Sequence, residues 1–249
     1  MTKPFSISEI LTDAWTVAKQ NIWILIGFTA VQFVVMFLCT AFLAAIFGES
    51  TAGALLQNVI INLIDAFITV AMYQVFFKLL DEDGPIEFPD LIPNLMKALN
   101  FLLVKLIMGL VAVVLIAVLA GIYFANTPHI DMSNPFSWET LPIFILIALP
   151  LLYFTVRLCF VVCFIVDQDS GASESISQSW TVTKNHFWML LGLFLVIFAI
   201  NILGAIALFI GLLFTVPFSS LLIVIAYRHI VNEYTDEEEL FIDQPENEA

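Results

Sequence analysis

Positive charge is scarce in this chain: 8 Lys and Arg in 249 residues, against 22 Asp and Glu. The formal charge of -14 excludes the basic face that nucleic acid requires, so no nucleic acid is expected among the partners. Cysteine is nearly missing. Cys39, Cys159 and Cys163 all sit in apolar runs, and an odd number there builds no disulfide framework. Cys159 and Cys163 share a helix face but have no His or carboxylate beside them, which makes a poor metal set. They read as packing thiols. The 3 histidines, His129, His186 and His229, form no cluster. Also lacking are the phosphate-cradling Gly-x-x-x-x-Gly-Lys loop, the His-Glu-x-x-His helix and the Gly-x-Ser-x-Gly elbow. No metal, no cofactor and no enzyme chemistry are expected.

What the chain has is apolar length. It is 61% hydrophobic, with 24 Phe and a mean hydropathy of +1.01, well above the roughly 45–50% apolar content of a soluble domain. A crossing needs about 20 apolar residues. Runs at 22–48, 54–80, 98–124 and 141–166 meet that length. From His186 to Tyr227 no side chain carries a formal charge, a stretch too long for one crossing. A break near Gly211–Pro217 divides it into spans at 187–210 and 213–230. The fold expected is therefore all-α, a polytopic bundle of six transmembrane helices in three hairpins. Pro150 predicts a kink in the fourth span, because proline lacks the amide donor.

A duplicated stretch organises these spans. Ala14-Trp15-Thr16-Val17-Ala18-Lys19 returns 165 positions later as Ser179-Trp180-Thr181-Val182-Thr183-Lys184, and Gly27 returns as Gly192. The first copy opens on a capping box, Ser6 to Glu9. Ile7, Ile10, Leu11, Ala14 and Ala18 then fall on one helical face. Each hairpin is thus expected to follow a short amphipathic helix, in units 6–83, 87–168 and 171–232, the middle one degenerate. Trp15, Trp23, Trp180 and Trp188, with Lys19 and Lys184, read as interfacial anchors. Units of two spans all enter with the same orientation, so an arrangement about an axis along the membrane normal and a sequential bundle both fit. Lys3, Lys19, Lys78, Lys97, Lys184 and Arg228 fall on one side of a six-span chain, which puts both termini in the cytoplasm by the positive-inside rule. Insertion is expected to use uncleaved spans. The single transmembrane domain, 1–232, is followed by an acidic tail, 233–249, expected to be disordered. Leu240, Phe241 and Ile242 interrupt it as a bare solvated segment or a partner-docking motif.

One polar set stands out. Asn58, Asn62, Asp65, Thr69 and Tyr73 are spaced to form a stripe along the second span. Such a stripe is costly against lipid, and a mid-membrane ionisable group is a functional hypothesis. Asp65 is expected to pair with Arg157 of the fourth span, joined by Asn201 of the fifth, while Lys105 snorkels to the cytoplasmic surface. That site reads either as a packing device or as a polar cavity for a substrate, proton or lipid headgroup. Ser219 and Ser220 read as aids to close helix packing.

Tyr153-Phe154-Thr155-Val156-Arg157, then Phe164 through Gly171, then Ala172 through Lys184 resemble a bacterial six-span family. It comprises the membrane domain attached to some glycerophosphodiester phosphodiesterases and related stand-alone inner-membrane proteins. Where that family often carries Pro-Gly, this chain has Pro150-Leu151. The residues of the phosphodiesterase domain have no counterpart here, so the resemblance implies fold and location in the bacterial inner membrane and no hydrolase activity. Two functions then compete. One is a non-enzymatic scaffold or accessory subunit, with the lipid bilayer and a membrane protein or a second copy as partners. The other is a small transporter or lipid-handling protein using the Asp65–Arg157 site.

Overall fold

The computed structural model describes residues 6–47, 50–81, 86–126, 141–207 and 210–242. The turn at Glu82–Pro85, the outer loop with His129 and Trp138, Lys3 and the last seven residues lie outside the described residues. The described chain is all helical: α1 (Ile7–Gln20), α2 (Ile22–Phe47), α3 (Thr51–Leu80), α4 (Leu95–Asn126), α5 (Leu141–Arg157), α6 (Val161–Asp167), α7 (Ala172–Ile206) and α8 (Leu212–Ile242). Six of these stretches, with α5 and α6 counted together, are long and apolar enough to cross a membrane. The chain is a multi-pass membrane protein.

The predicted leading helices take three forms. In α1 the capping box is complete, Ser6 N–H to Glu9 Oε2 at 2.7 Å and Glu9 N–H to Ser6 Oγ at 3.3 Å. Asn21 then parts α1 from α2. Its side-chain amide donates to Val17 O at 3.0 Å, a local bond that competes with helix continuation. The middle unit opens instead on one turn of 3-10 helix, Phe88–Leu91, where Pro89 suits a first turn. In the third unit nothing interrupts the chain at His186, and the polar segment runs straight into its span as α7.

Second spans form the centre and first spans the rim. In α2 no part of the most apolar window is buried by protein, whereas 61% of that of α8 is. Packing runs in a cycle. The end of α3 meets the start of the middle unit, α5 and α6 meet α7, and α8 meets α1 and α2. The core lies towards the charged end of the bundle. Val70, Phe76, Phe160, Ile165, Leu221, Tyr227 and Ile230 are enclosed there. Tyr227 packs edge-on to Phe77 at 5.8 Å and to Phe164 at 5.0 Å, and donates to Asp167 Oδ2 at 2.8 Å. Arg228 joins the ends of two other second spans, reaching Asp81 at 2.8 Å and Asp167 at 3.3 Å. Lys97 donates to Val166 O at 2.8 Å and pairs with Asp169 at 2.8 Å, closing the last turn of α6.

Helix α5 is continuous through Pro150, and the fourth span is interrupted at Leu158–Phe160. A proline costs one backbone bond, which a membrane helix tolerates with local support. The tail boundary at 233 falls inside α8, whose backbone helix passes through Leu240, Phe241 and Ile242; Glu and Leu are good helix formers. Their side chains lie outside the described set.

The expected break between spans five and six is present, between Ile206 and Leu212. The two helices approach closely there. A Cβ on Gly211 would stand 2.7 Å from the Gly204 Cα, so Gly211→Ala must push backbone apart. Overpacking of this kind costs about 1–3 kcal/mol. Thermal unfolding in detergent should show that loss for Gly211→Ala and none of it for Gly27→Ala, where a Cβ meets nothing within 4 Å.

Candidate functional site

The structure divides the predicted stripe. At its far end Asn58 is uncovered by protein and Asn62 is half-covered. Each satisfies its amide on its own helix, Asn58 to Ala54 O at 3.3 Å and Asn62 to Asn58 O at 2.9 Å. At the other end Tyr73 is buried beside Phe76, with ring centroids 6.1 Å apart. Thr69 lies between, half-buried.

Asp65 does not pair with Arg157. Its partner is Lys105 of α4, at 2.5 Å. The expectation that Lys105 snorkels to the surface is overturned by the same contact. Helices α3 and α4 pack side by side, and a carboxylate within reach outbids a climb to the headgroups. Asn201 stands apart from both. It donates to Ser219 Oγ at 2.7 Å and accepts from Thr215 Oγ1 at 3.1 Å, a clasp between α7 and α8. The three residues expected to meet therefore belong to three separate structures.

Arg157 occupies the third. It ends α5, and its level follows from its backbone. Arg157 O accepts from Ser179 Oγ at 3.0 Å and lies 3.1 Å from Thr183 Oγ1. Ser179 Oγ also accepts from Phe160 N–H at 3.3 Å. Both hydroxyl residues precede the charge-free run that starts at His186. Arg157 is thus level with the polar first part of α7, and not deep among apolar spans. Counting along an unbroken fourth helix places it wrongly, because the interruption at Leu158–Phe160 intervenes.

The guanidinium lies over the Trp180 ring, 4.3 Å from its centroid. Tyr153 holds that ring from the side, at 5.8 Å, and touches Phe187 at 5.4 Å. Tyr153, Arg157, Trp180, Thr181, Lys184 and Phe187 line an open cleft of about 600 Å³, within the size range of small-ligand sites. Arg157 is only 4% exposed, and its Nε has no hydrogen-bond partner. Among the described residues no carboxylate lies within ion-pair distance of Arg157 or Lys184. The other clefts differ. One of about 400 Å³ contains Lys78, Asp81, Asp90 and Asp167, and its lysine is already paired with Asp90 at 2.6 Å.

The anchors differ in exposure. Trp23 is 82% exposed and Trp188, its counterpart two turns beyond Trp180, is 80% exposed, so both present whole indoles to the surroundings. Trp15 is half-covered, edge-on to Phe214 and Phe218 at 6.2 Å, and Lys19 lies over it at 5.9 Å.

Sequence reasoning missed Ser175, Ser179 and Thr183, all fully enclosed. A signal existed. Their counterparts 165 positions earlier, Ile10, Ala14 and Ala18, are equally enclosed but apolar. Ser179 and Thr183 satisfy backbone groups at the break between α5 and α6, while Ser175 Oγ donates within its own helix to Ala172 O at 3.0 Å. Alanine occurs where α1 faces a stretch of α8 that has no break.

No curated protein and no solved structure matches the chain. Residues 130–227, the segment that contains every side chain of the Arg157 cleft, match the family described as the membrane domain of glycerophosphoryl diester phosphodiesterase, and over that segment the chain is similar to it.

Proposed function

We propose that this protein is a non-enzymatic, lipid-handling membrane protein that holds the anionic headgroup of a phospholipid in the Arg157–Trp180–Lys184 cleft. One observation carries the reading. In a chain with 22 carboxylate residues and 8 cations, a buried arginine and a nearby lysine stand without an acidic partner. A buried guanidinium without a counter-charge is costly, so an anion from outside the chain fits there. The cleft has the right depth for it: Lys184 precedes Trp188 by one turn of α7, and an indole marks the headgroup boundary. By the positive-inside rule the leaflet is the cytoplasmic one, and the family resemblance favours the bacterial inner membrane. The accessory-subunit reading rests on small loops, the lack of a catalytic cluster, the short polar helices and the acidic tail with Leu240, Phe241 and Ile242, and no contact among the described residues favours it over the cleft.

The test is lipid retention. Purified protein should carry an anionic phospholipid in preference to a zwitterionic one, measured by native mass spectrometry. Arg157→Gln with Lys184→Gln should lower that retention about tenfold or more, as loss of a charged hydrogen bond of about 1.5–3 kcal/mol implies. Lys19→Gln, at the duplicated position, should leave it unchanged. Equal retention of anionic and zwitterionic lipids, or no effect of the double variant, removes the reading.

A further inference from the structure

We infer that the headgroup this cleft selects is a phosphomonoester, the headgroup chemistry of phosphatidic acid, and not the phosphodiester of ordinary anionic phospholipids. The inference rests on the proposed lipid site and adds its selectivity.

The argument is a charge count with geometry. Of the described cations, Lys78, Lys97, Lys105 and Arg228 each meet a carboxylate, and Lys19 lies over Trp15. Lys19, Arg157 and Lys184 are without a carboxylate, and of these Arg157 and Lys184 line one cleft. Among the described residues the rest of the lining is Tyr153, Trp180, Thr181 and Phe187, with no carboxylate. The site thus offers two positive charges and no negative one. A phosphodiester carries one negative charge, which leaves one cation unanswered beside a nine-tenths buried arginine. A phosphomonoester carries about -1.5 to -2 near neutral pH and presents three terminal oxygens. A guanidinium takes two oxygens through its planar fork, and the lysine ammonium supplies a point charge for the third.

The aromatic wall supports the same ligand. Trp180 covers the guanidinium at 4.3 Å, and Tyr153 and Phe154 pack on Trp180, with centroids at 5.8 Å and 6.0 Å. This packing restricts the side chain before a ligand arrives, which reduces the ordering cost of binding. Tyr153 and Phe187 form the cleft's other lining, apolar rings of the kind that suit the glycerol and upper acyl chain. Because the cleft is open, a small headgroup fits and no further sugar or alcohol needs a partner.

The experiment offers the full chain equal amounts of phosphatidic acid and phosphatidylglycerol in a phosphatidylcholine background and reads bound lipid by native mass spectrometry. Phosphatidic acid should be retained about tenfold over phosphatidylglycerol, the scale of one additional charged hydrogen bond. Lys184 is on the surface, so Lys184→Gln should fold normally and bring the two lipids to near parity. Inorganic phosphate at millimolar concentration should fail to displace the lipid. Equal retention of the two anionic lipids overturns this inference and leaves the proposed function standing. Preference for neither over phosphatidylcholine overturns both. A preference that survives Lys184→Gln overturns the charge count, and displacement by inorganic phosphate assigns the site to a soluble ion and overturns the lipid assignment.

Discussion

Asp65→Asn and Lys105→Met should each lower the unfolding free energy by about 2–3 kcal/mol, and Asp65→Leu combined with Lys105→Met should recover most of it. Asp65 is the middle of α3 and joins Lys105 of α4 at 2.5 Å. A lone charge at the centre of a membrane helix costs about 2.5–3.5 kcal/mol on the insertion scale. Pairing removes most of that cost, and removing one partner restores it for the other. An apolar pair of similar volume pays neither, and replacements of buried ion pairs by apolar side chains are often neutral or better. Both side chains are about one-third uncovered by protein. Both lie on helices long and apolar enough to cross a membrane, where salt screening gives less relief than at a water-exposed surface. Reversible unfolding in bicelles or mixed micelles measures the three variants. If both singles retain wild-type stability, the pair lies in a hydrated environment. If the double is as poor as the worse single, the side chains are held by further polar contacts that an apolar pair cannot replace.

How much of this was readable beforehand follows from what each inference needs. The six spans need only run length and hydropathy, and α2, α3, α4 and α8 begin within a few residues of the limits read from sequence. The break before Leu212 needs only the arithmetic of a run too long for one crossing. The partner of Asp65 needs more. Periodicity fixes the face of α3 on which Asp65 lies but not which helix packs there, and Lys105 and Arg157 are equivalent candidates until α4 is seen beside α3. The cleft needs most. Arg157 was legible as unusual. Its depth was not, because Leu158–Phe160 contains neither glycine nor proline to announce a break, while Pro150, which does announce one, remains helical. Trp180 and Lys184 read as anchors because their counterparts Trp15 and Lys19 do. Only the guanidinium over Trp180 turns one copy of the motif into a binding site, and no equivalent arginine stacks on Trp15, which meets Phe214 and Phe218 instead.

That difference between the copies sets the second large effect. Ser179→Ala should cost about 1–3 kcal/mol and should also abolish selective lipid retention. Ser179 Oγ donates to Arg157 O at 3.0 Å and accepts from Phe160 N–H at 3.3 Å, so one hydroxyl satisfies both sides of the α5–α6 break. Thr183 supports Arg157 O but cannot take over at Phe160 N–H. Its single hydroxyl proton is shared among Arg157 O, Ser179 O and Trp180 O, at 3.1, 2.7 and 3.4 Å, and its oxygen makes no bond to Phe160 N–H among the described residues. A buried backbone group left without a partner costs about 1–3 kcal/mol, and Phe160 N–H is the group so left. The break is also what places Arg157 at a helix end over Trp180, so a chain that heals the break by extending α5 rotates the guanidinium off the ring. The control is the other copy. Ala14→Ser puts a hydroxyl at the duplicated position against a stretch of α8 with no break, where it bonds to its own preceding turn and changes stability by less than about 1 kcal/mol. Thermal midpoints and lipid retention, read on both variants, separate the two sites. Ser179→Ala with a wild-type midpoint shows the break satisfied some other way. An equal loss from Ala14→Ser shows a steric effect common to both helices in place of the hydroxyl's two bonds.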